Sequence, residues 1–196
     1  MHEAIPELER TRAEDPLVVE FAGFLSSAYL ADGNLTGALA EVDRGRKLNG
    51  LEASMLRTGL VAALTARNRA EIDKRLALIP EDAEDFGLDH ALAMFIDAPA
   101  DAAAVLRRAA AAPDQSNMLI WWAAYFHQPG LALELLSKAA PQMGDTALLW
   151  QPMLRDVRKL PGFKKIVIDL GLVDYWRAYG WSDFCHPLSG DDFTCN

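Results

Sequence analysis

Apolar residues at three- and four-residue steps, interrupted at short intervals by Gly, Pro, Asp and Asn, constrain this chain more than any other feature. Val18, Phe21, Ala22, Leu25, Ala28 and Tyr29 make one face of a helix, and Asp15-Pro16 supplies its start, a capping acid followed by Pro at the first helical position. Asp32-Gly33-Asn34 ends that helix and caps the next, whose inner face is Leu35, Ala38, Leu39 and Val42 and which Asn49-Gly50 closes. Leu51–Ala66 pairs with Arg69–Ile79, which Pro80 ends, and Asp82–Ile96 pairs with Asp101–Ala112 across Pro99. Asn117–Phe126 and Leu131–Ala139 form a further pair around His127-Gln128-Pro129-Gly130. No alternating run of strand length bounded by turns is present. Ala and Leu dominate the apolar 51% while Val, Ile and Thr are sparse, which favours helices, because Ala and straight-chain residues lose least on entering one.

The helix pairs carry a register. Ala4 and Ala38 lie 34 residues apart, as do Leu8 and Val42, and Pro16 and Gly50, which is the tetratricopeptide period. Within that copy Leu25, Tyr29, Gly33 and Ala38 occupy packing positions: the small Ala lets two helices approach and the aromatic fills the groove between pairs. Later copies drift, since Gly50 to Pro80 spans 30 residues. The expected fold is therefore all-α, a right-handed solenoid of antiparallel helix pairs. Degenerate repeats occupy 1–144, C-terminal capping helices 145–181, and a short irregular tail 182–196. Met1–Asp15 reads as the second helix of a repeat whose first helix is missing, so the chain is expected to be a piece of a longer protein.

Charge and hydropathy exclude some classes. A net charge of −9 without clustered Lys and Arg opposes binding to nucleic acid or an anionic membrane surface. The longest apolar run, Met118 to Phe126, is short of the roughly 20 residues that span a bilayer, and Met1–Arg12 is too charged for a secretory signal. No catalytic constellation is legible: Ser26-Ser27 sits inside a helix without a base, and His2, His90 and His127 are scattered. Asp32-Gly33-Asn34 lacks the later acids of a calcium loop. Neither an enzyme nor a cofactor is expected.

From Leu148 onward the character changes. Thr146–Arg158, Phe163–Leu170 and Val173–Tyr179 read as three helices, with Leu160-Pro161-Gly162 between the first two and Gly171 as a left-handed stop. Leu149, Trp150, Pro152, Arg155, Pro161 and Phe163, and then Gly171-Leu172, Tyr175-Trp176-Arg177, Gly180, Asp183, Phe184 and Cys185, form a distinctive pattern. This stretch resembles the C-terminal end of bacterial tetratricopeptide regions attached to adenylate-cyclase-type catalytic domains or to winged-helix transcriptional regulators. Ser182 departs from it, where such families have Pro. The resemblance implies a sensory or scaffold module beside an effector domain. The compartment is then periplasmic if the parent spans a membrane and cytoplasmic otherwise.

Candidate partner contacts follow from the aromatic clusters. Trp122, Tyr125 and Phe126 share a helical face and read as core, which leaves Trp121 on a different face as the candidate for exposure. Tyr175, Arg177, Trp181 and Asp183 are the others: Arg177 would clamp a carboxylate with its planar fork, or pair with a local acid such as Asp174 or Asp183. Cys185 and Cys195, with His186, Asp191 and Asp192 nearby, match no standard zinc spacing. They either form a disulfide around a nine-residue loop in an oxidising compartment or leave the tail to fray. The expected function is a non-enzymatic interaction or sensory module that binds a protein, a peptide or the parent's effector domain. The alternatives are a structural element that homodimerises through an open solenoid end, and a helical enzyme with an unfamiliar site.

Overall fold

The structure, a computed structural model, describes residues 3–49, 53–80, 86–112, 117–139 and 146–196. Among them are twelve α-helices and two three-residue strands, so the chain is mostly helical as its periodicity requires. It divides into two compact units, Met1–Ala98 and Pro99–Asn196.

The first unit contains α1 (Ala4–Glu14), α2 (Val19–Ala31), α3 (Leu35–Asn49), α4 (Ala53–Thr65), α5 (Arg69–Leu76) and α6 (Gly87–Ala93). Asp32-Gly33-Asn34 joins α2 to α3: Gly33 takes φ of 82°, and Asn34 Oδ1 accepts from the Gly37 amide at 2.9 Å. Three residues turn the chain back on itself, which lays α3 along α2. Ala22, Leu25, Ala38 and Val42 are fully buried between them, and the Ser26 hydroxyl donates to the Ala38 carbonyl at 2.9 Å. The small side chains at Ala22 and Ala38 permit this approach, the role the repeat register gave to Ala38. α4 packs on α3 and on α2, and α5 packs on α4. Ion pairs link α1, α3 and α5: Arg12 donates to Glu41, and the buried Arg75 donates to Asp43 at 2.6 Å.

Asp15-Pro16 behaves differently from expectation. α2 begins only at Val19, after a turn, and Asp15 instead closes α1 through its amide on the Thr11 carbonyl. The Pro16 carbonyl is occupied by Arg44 Nη1 at 2.9 Å, which holds the connection outside the helix. Gly50 and Leu51, and 82–85 of the expected helix Asp82–Ile96, lie outside the described residues.

The second unit contains α7 (Pro99–Ala110), α8 (Met118–Tyr125), α9 (Pro129–Ala139), α10 (Arg155–Arg158), α11 (Pro161–Asp169) and α12 (Leu172–Tyr179). Three of these helices open on proline, whose fixed φ and missing N–H suit the first turn. α8 is the centre: Trp122 is fully buried, stacks on Phe126 at 5.7 Å and meets Tyr125 edge-on at 5.8 Å. The expected helix Thr146–Arg158 is broken. It comprises 3-10 turns over Thr146–Trp150 and Pro152–Leu154 before the single turn of α10. Pro152 is the reason: its ring excludes the helical region for the preceding residue, and Gln151 is extended at ψ 141°.

The tail differs too. β1 (Cys185–Pro187) and β2 (Phe193–Cys195) pair antiparallel, with Cys185 opposite Cys195, so an antiparallel ribbon occupies the segment read as irregular. Three residues per strand are too few for an alternation to show in sequence.

Candidate functional site

The most distinctive chemistry gathers where α12 meets the ribbon. Gly171, at φ 71°, lets the chain leave α11 and enter α12 directly, a conformation that costs other residues steric strain. α12 then divides its aromatic residues by helical geometry. Val173 and Trp176 face inward, and Tyr175 and Tyr179, one turn apart, face solvent at 60% and 77% exposure with ring centroids 4.8 Å apart. The expectation that adjacent aromatics serve different faces holds here.

Inward, the rings form one continuous cluster. Trp176 lies 5.9 Å from Trp150 and 5.6 Å from Trp181, and Trp150 stacks on Phe184 at 5.5 Å with planes 2° apart. Phe193 of β2 completes it, 5.8 Å from Trp181. Trp181 is therefore a half-buried member of the packing. Asp183 is exposed at the turn before β1.

Arg177 meets two acids, the anticipated Asp174 and, closer, Asp191. Nη2 donates to Asp191 Oδ1 at 3.0 Å, in the loop joining the strands, and Asp174 stands farther off at 3.8 Å. On the same loop Asp192 accepts from Lys164 at 2.5 Å and from the Phe193 amide at 2.9 Å. The bond from Lys164, then that from the amide, holds its carboxyl below the usual range. Cys185 and Cys195 are joined as a disulfide and buried. Ser182, where the resemblance departs, accepts the Cys185 amide on its hydroxyl at 3.1 Å, a bond Pro could not make.

Arg158 was not singled out by sequence. It is 5% exposed, and its guanidinium donates to three main-chain oxygens: Asn196 at 2.7 Å, Leu149 at 3.0 Å and Gln151 at 2.9 Å. It also lies 5.3 Å from the centre of the Phe184 ring. Burial, with Arg155 adding repulsion, lowers its pKa to about 10, which leaves it charged at neutral pH. The available signal was register: Arg158 follows the buried Leu154 by one helical turn, on the face that points inward.

Trp121 requires a correction. It is 6% exposed, because α8 is apolar on every side and α7, α9 and the 3-10 turn after Gln151 all pack against it. It lines a small cavity of about 40 Å³ with Ile120, Leu136, Leu148 and Leu154. Of the candidate contacts, Tyr175, Arg177, Trp181 and Asp183 thus share one end of the second unit, and Trp121 belongs to its core.

What the surface offers chemically is two adjacent phenol rings tilted 37° to each other, their hydroxyls and a guanidinium already engaged by Asp191. Among the described residues no helix is long and apolar enough to cross a membrane, and no three His, Cys, Asp or Glu side chains converge as metal ligands. Comparison with protein-family models, curated proteins and solved structures finds no match for the chain.

Proposed function

We propose that this protein is a non-enzymatic interaction module, a degenerate tetratricopeptide-like solenoid that serves as the sensory or scaffold part of a larger signalling protein. The observation that carries the reading is the order of packing in the first unit. α2 meets α3 and α4 in turn, and ion pairs link α1 to α3 and α3 to α5, the second helices of successive pairs. Stacked pairs of this kind leave an extended face for a partner. The exposed Tyr175–Tyr179 pair is the best-formed contact, because tyrosine supplies rigid apolar area and a polar tip at low entropic cost. A protein or peptide partner, or the parent's effector domain, fits it.

The test is site-specific photo-crosslinking from position 179 in the full-length parent, followed by binding measurements on a double Tyr175→Ala, Tyr179→Ala variant. Crosslinks to one defined partner and at least about tenfold weaker binding by the variant are expected. Crosslinks spread indiscriminately, or unaltered affinity, reject the surface.

A homodimerisation element is the second reading. Leu17 is 77% exposed beside α1, a helix without a fully buried residue. Sedimentation that stays monomeric at high concentration removes it.

A further inference from the structure

We infer that the C-terminal ribbon is an oxidation-dependent clasp: it closes over the Trp150–Trp176 cluster and fixes Arg177 only when Cys185 and Cys195 are joined, so this unit completes its fold only where thiols are oxidised.

Four independent attachments converge on the ribbon. The disulfide closes it at the base. Arg158 ties the Asn196 main chain to the 3-10 turns, Lys164 ties Asp192 to α11, and Arg177 ties Asp191 to α12. The ribbon in turn supplies Phe193, which covers Trp176 and Trp181, while Phe184, just before β1, covers Trp150.

The non-covalent attachments cannot hold it alone. A two-stranded ribbon is marginal in water, and these strands are three residues each. The Lys164–Asp192 and Arg177–Asp191 pairs are exposed, the class of ion pair that contributes least. Arg158 is buried and well bonded, yet on the ribbon it grips a single main-chain oxygen, that of Asn196. The disulfide is therefore the attachment that removes most freedom from the open form. Both sulfurs are buried in the closed form, Cys185 completely, so the bond is shielded once formed.

Closure is a thiol–disulfide exchange. The Cys185 and Cys195 thiols lose two protons and two electrons, a protein disulfide of the oxidoreductase class accepts them and becomes a dithiol, and one Sγ–Sγ bond forms. Reduction by a dithiol runs the same step backwards.

The experiment uses the full chain, oxidised, and reads amide hydrogen exchange across 185–196 together with tryptophan emission. Treatment of the folded protein with a strong thiol-free reductant is compared with a Cys185→Ser, Cys195→Ser variant; reducing the folded wild type keeps the test valid if the variant does not fold. Protection of the Leu188 and Asn196 amides, which donate across the ribbon to Asp192 and Phe184, should fall by about a hundredfold on bond cleavage, with emission shifting to the red as Trp150 and Trp176 meet water. Arg177→Ala, which removes only exposed polar contacts to Asp174 and Asp191, should leave protection within about threefold of wild type. Unchanged exchange after verified cleavage overturns the clasp, as does recovery of two free thiols from native protein prepared under oxidising conditions.

Discussion

The two units achieve stability by different chemistry. The first packs Ala and Leu at close range and joins its helices with arginine–carboxylate pairs, as at Arg12–Glu41 and Arg75–Asp43. The second relies on large rings around Trp122 and Trp150, a buried arginine bonded to main-chain oxygens, and a disulfide. All five tryptophans, at 121, 122, 150, 176 and 181, belong to the second unit, and Tyr29 is the single tyrosine of the first. The lesson is that one helical pattern can be closed by ionic links between similar helices or by aromatic mass at a terminus. The distribution of chromophores also lets each unit be observed separately.

The largest expected effect comes from Trp122→Ala, which empties the centre of α8 and should cost about 4 kcal/mol in denaturant titrations followed by tyrosine and far-UV signals. A loss under about 1 kcal/mol would mean that the aromatic centre is dispensable. Next, Arg75→Ala should cost about 2 kcal/mol, because Glu71 and Asp43 lose a buried, charged donor while staying partly in water themselves. Its transition by circular dichroism should move while the tryptophan transition stays in place; if both move together, the contrast between separately held regions fails. Arg158→Met keeps most of the volume but strands the Leu149, Gln151 and Asn196 oxygens, and should cost about 2 kcal/mol, this time in tryptophan emission. Gly171→Ala places a Cβ at φ 71° in open space, so only backbone strain counts, about 1 kcal/mol by the same readout.

The smallest effect is spectroscopic. The Tyr29 hydroxyl donates to Glu9, and that bond, followed by burial, raises its pKa from 10.0 to about 12. The folded chain keeps a proton that the unfolded chain releases, so the contribution is complete below pH 10 and is lost as pH rises through 12. Ultraviolet titration should show a late-ionising phase near pH 12 that vanishes in Tyr29→Phe; a phase that survives that substitution would contradict it.

Much of the helical layout was legible because its signals are local. Asp32-Gly33-Asn34 is a turn in sequence and in space, and Gly171 stops a helix in the left-handed conformation anticipated for it. Where a local signal competed with another, reading failed: the apolar spacing through Thr146–Arg158 promised one helix, and the constraint of Pro152 on Gln151 prevailed. Trp121 was misjudged for a different reason. Its helix has neighbours on every side, and periodicity on one helix carries no information about how many others surround it. Arg158 and Asp191 escaped because their meaning depends on partners far along the chain, Asn196 and Arg177, which only folding brings near.

The link between Arg158 and Asn196 spans 38 residues and sets a timetable for synthesis. Helices α1 to α5 can settle while the ribosome is still translating, since each leans on an immediate predecessor. The rings of Trp150 and Trp176 meet each other, and Trp150 meets Phe163, but the rest of their cover comes from residues made after both, Phe184 and Phe193. Until those residues are made, part of the indole surface is presented to chaperones, and the synthesis of the ribbon decides when it disappears.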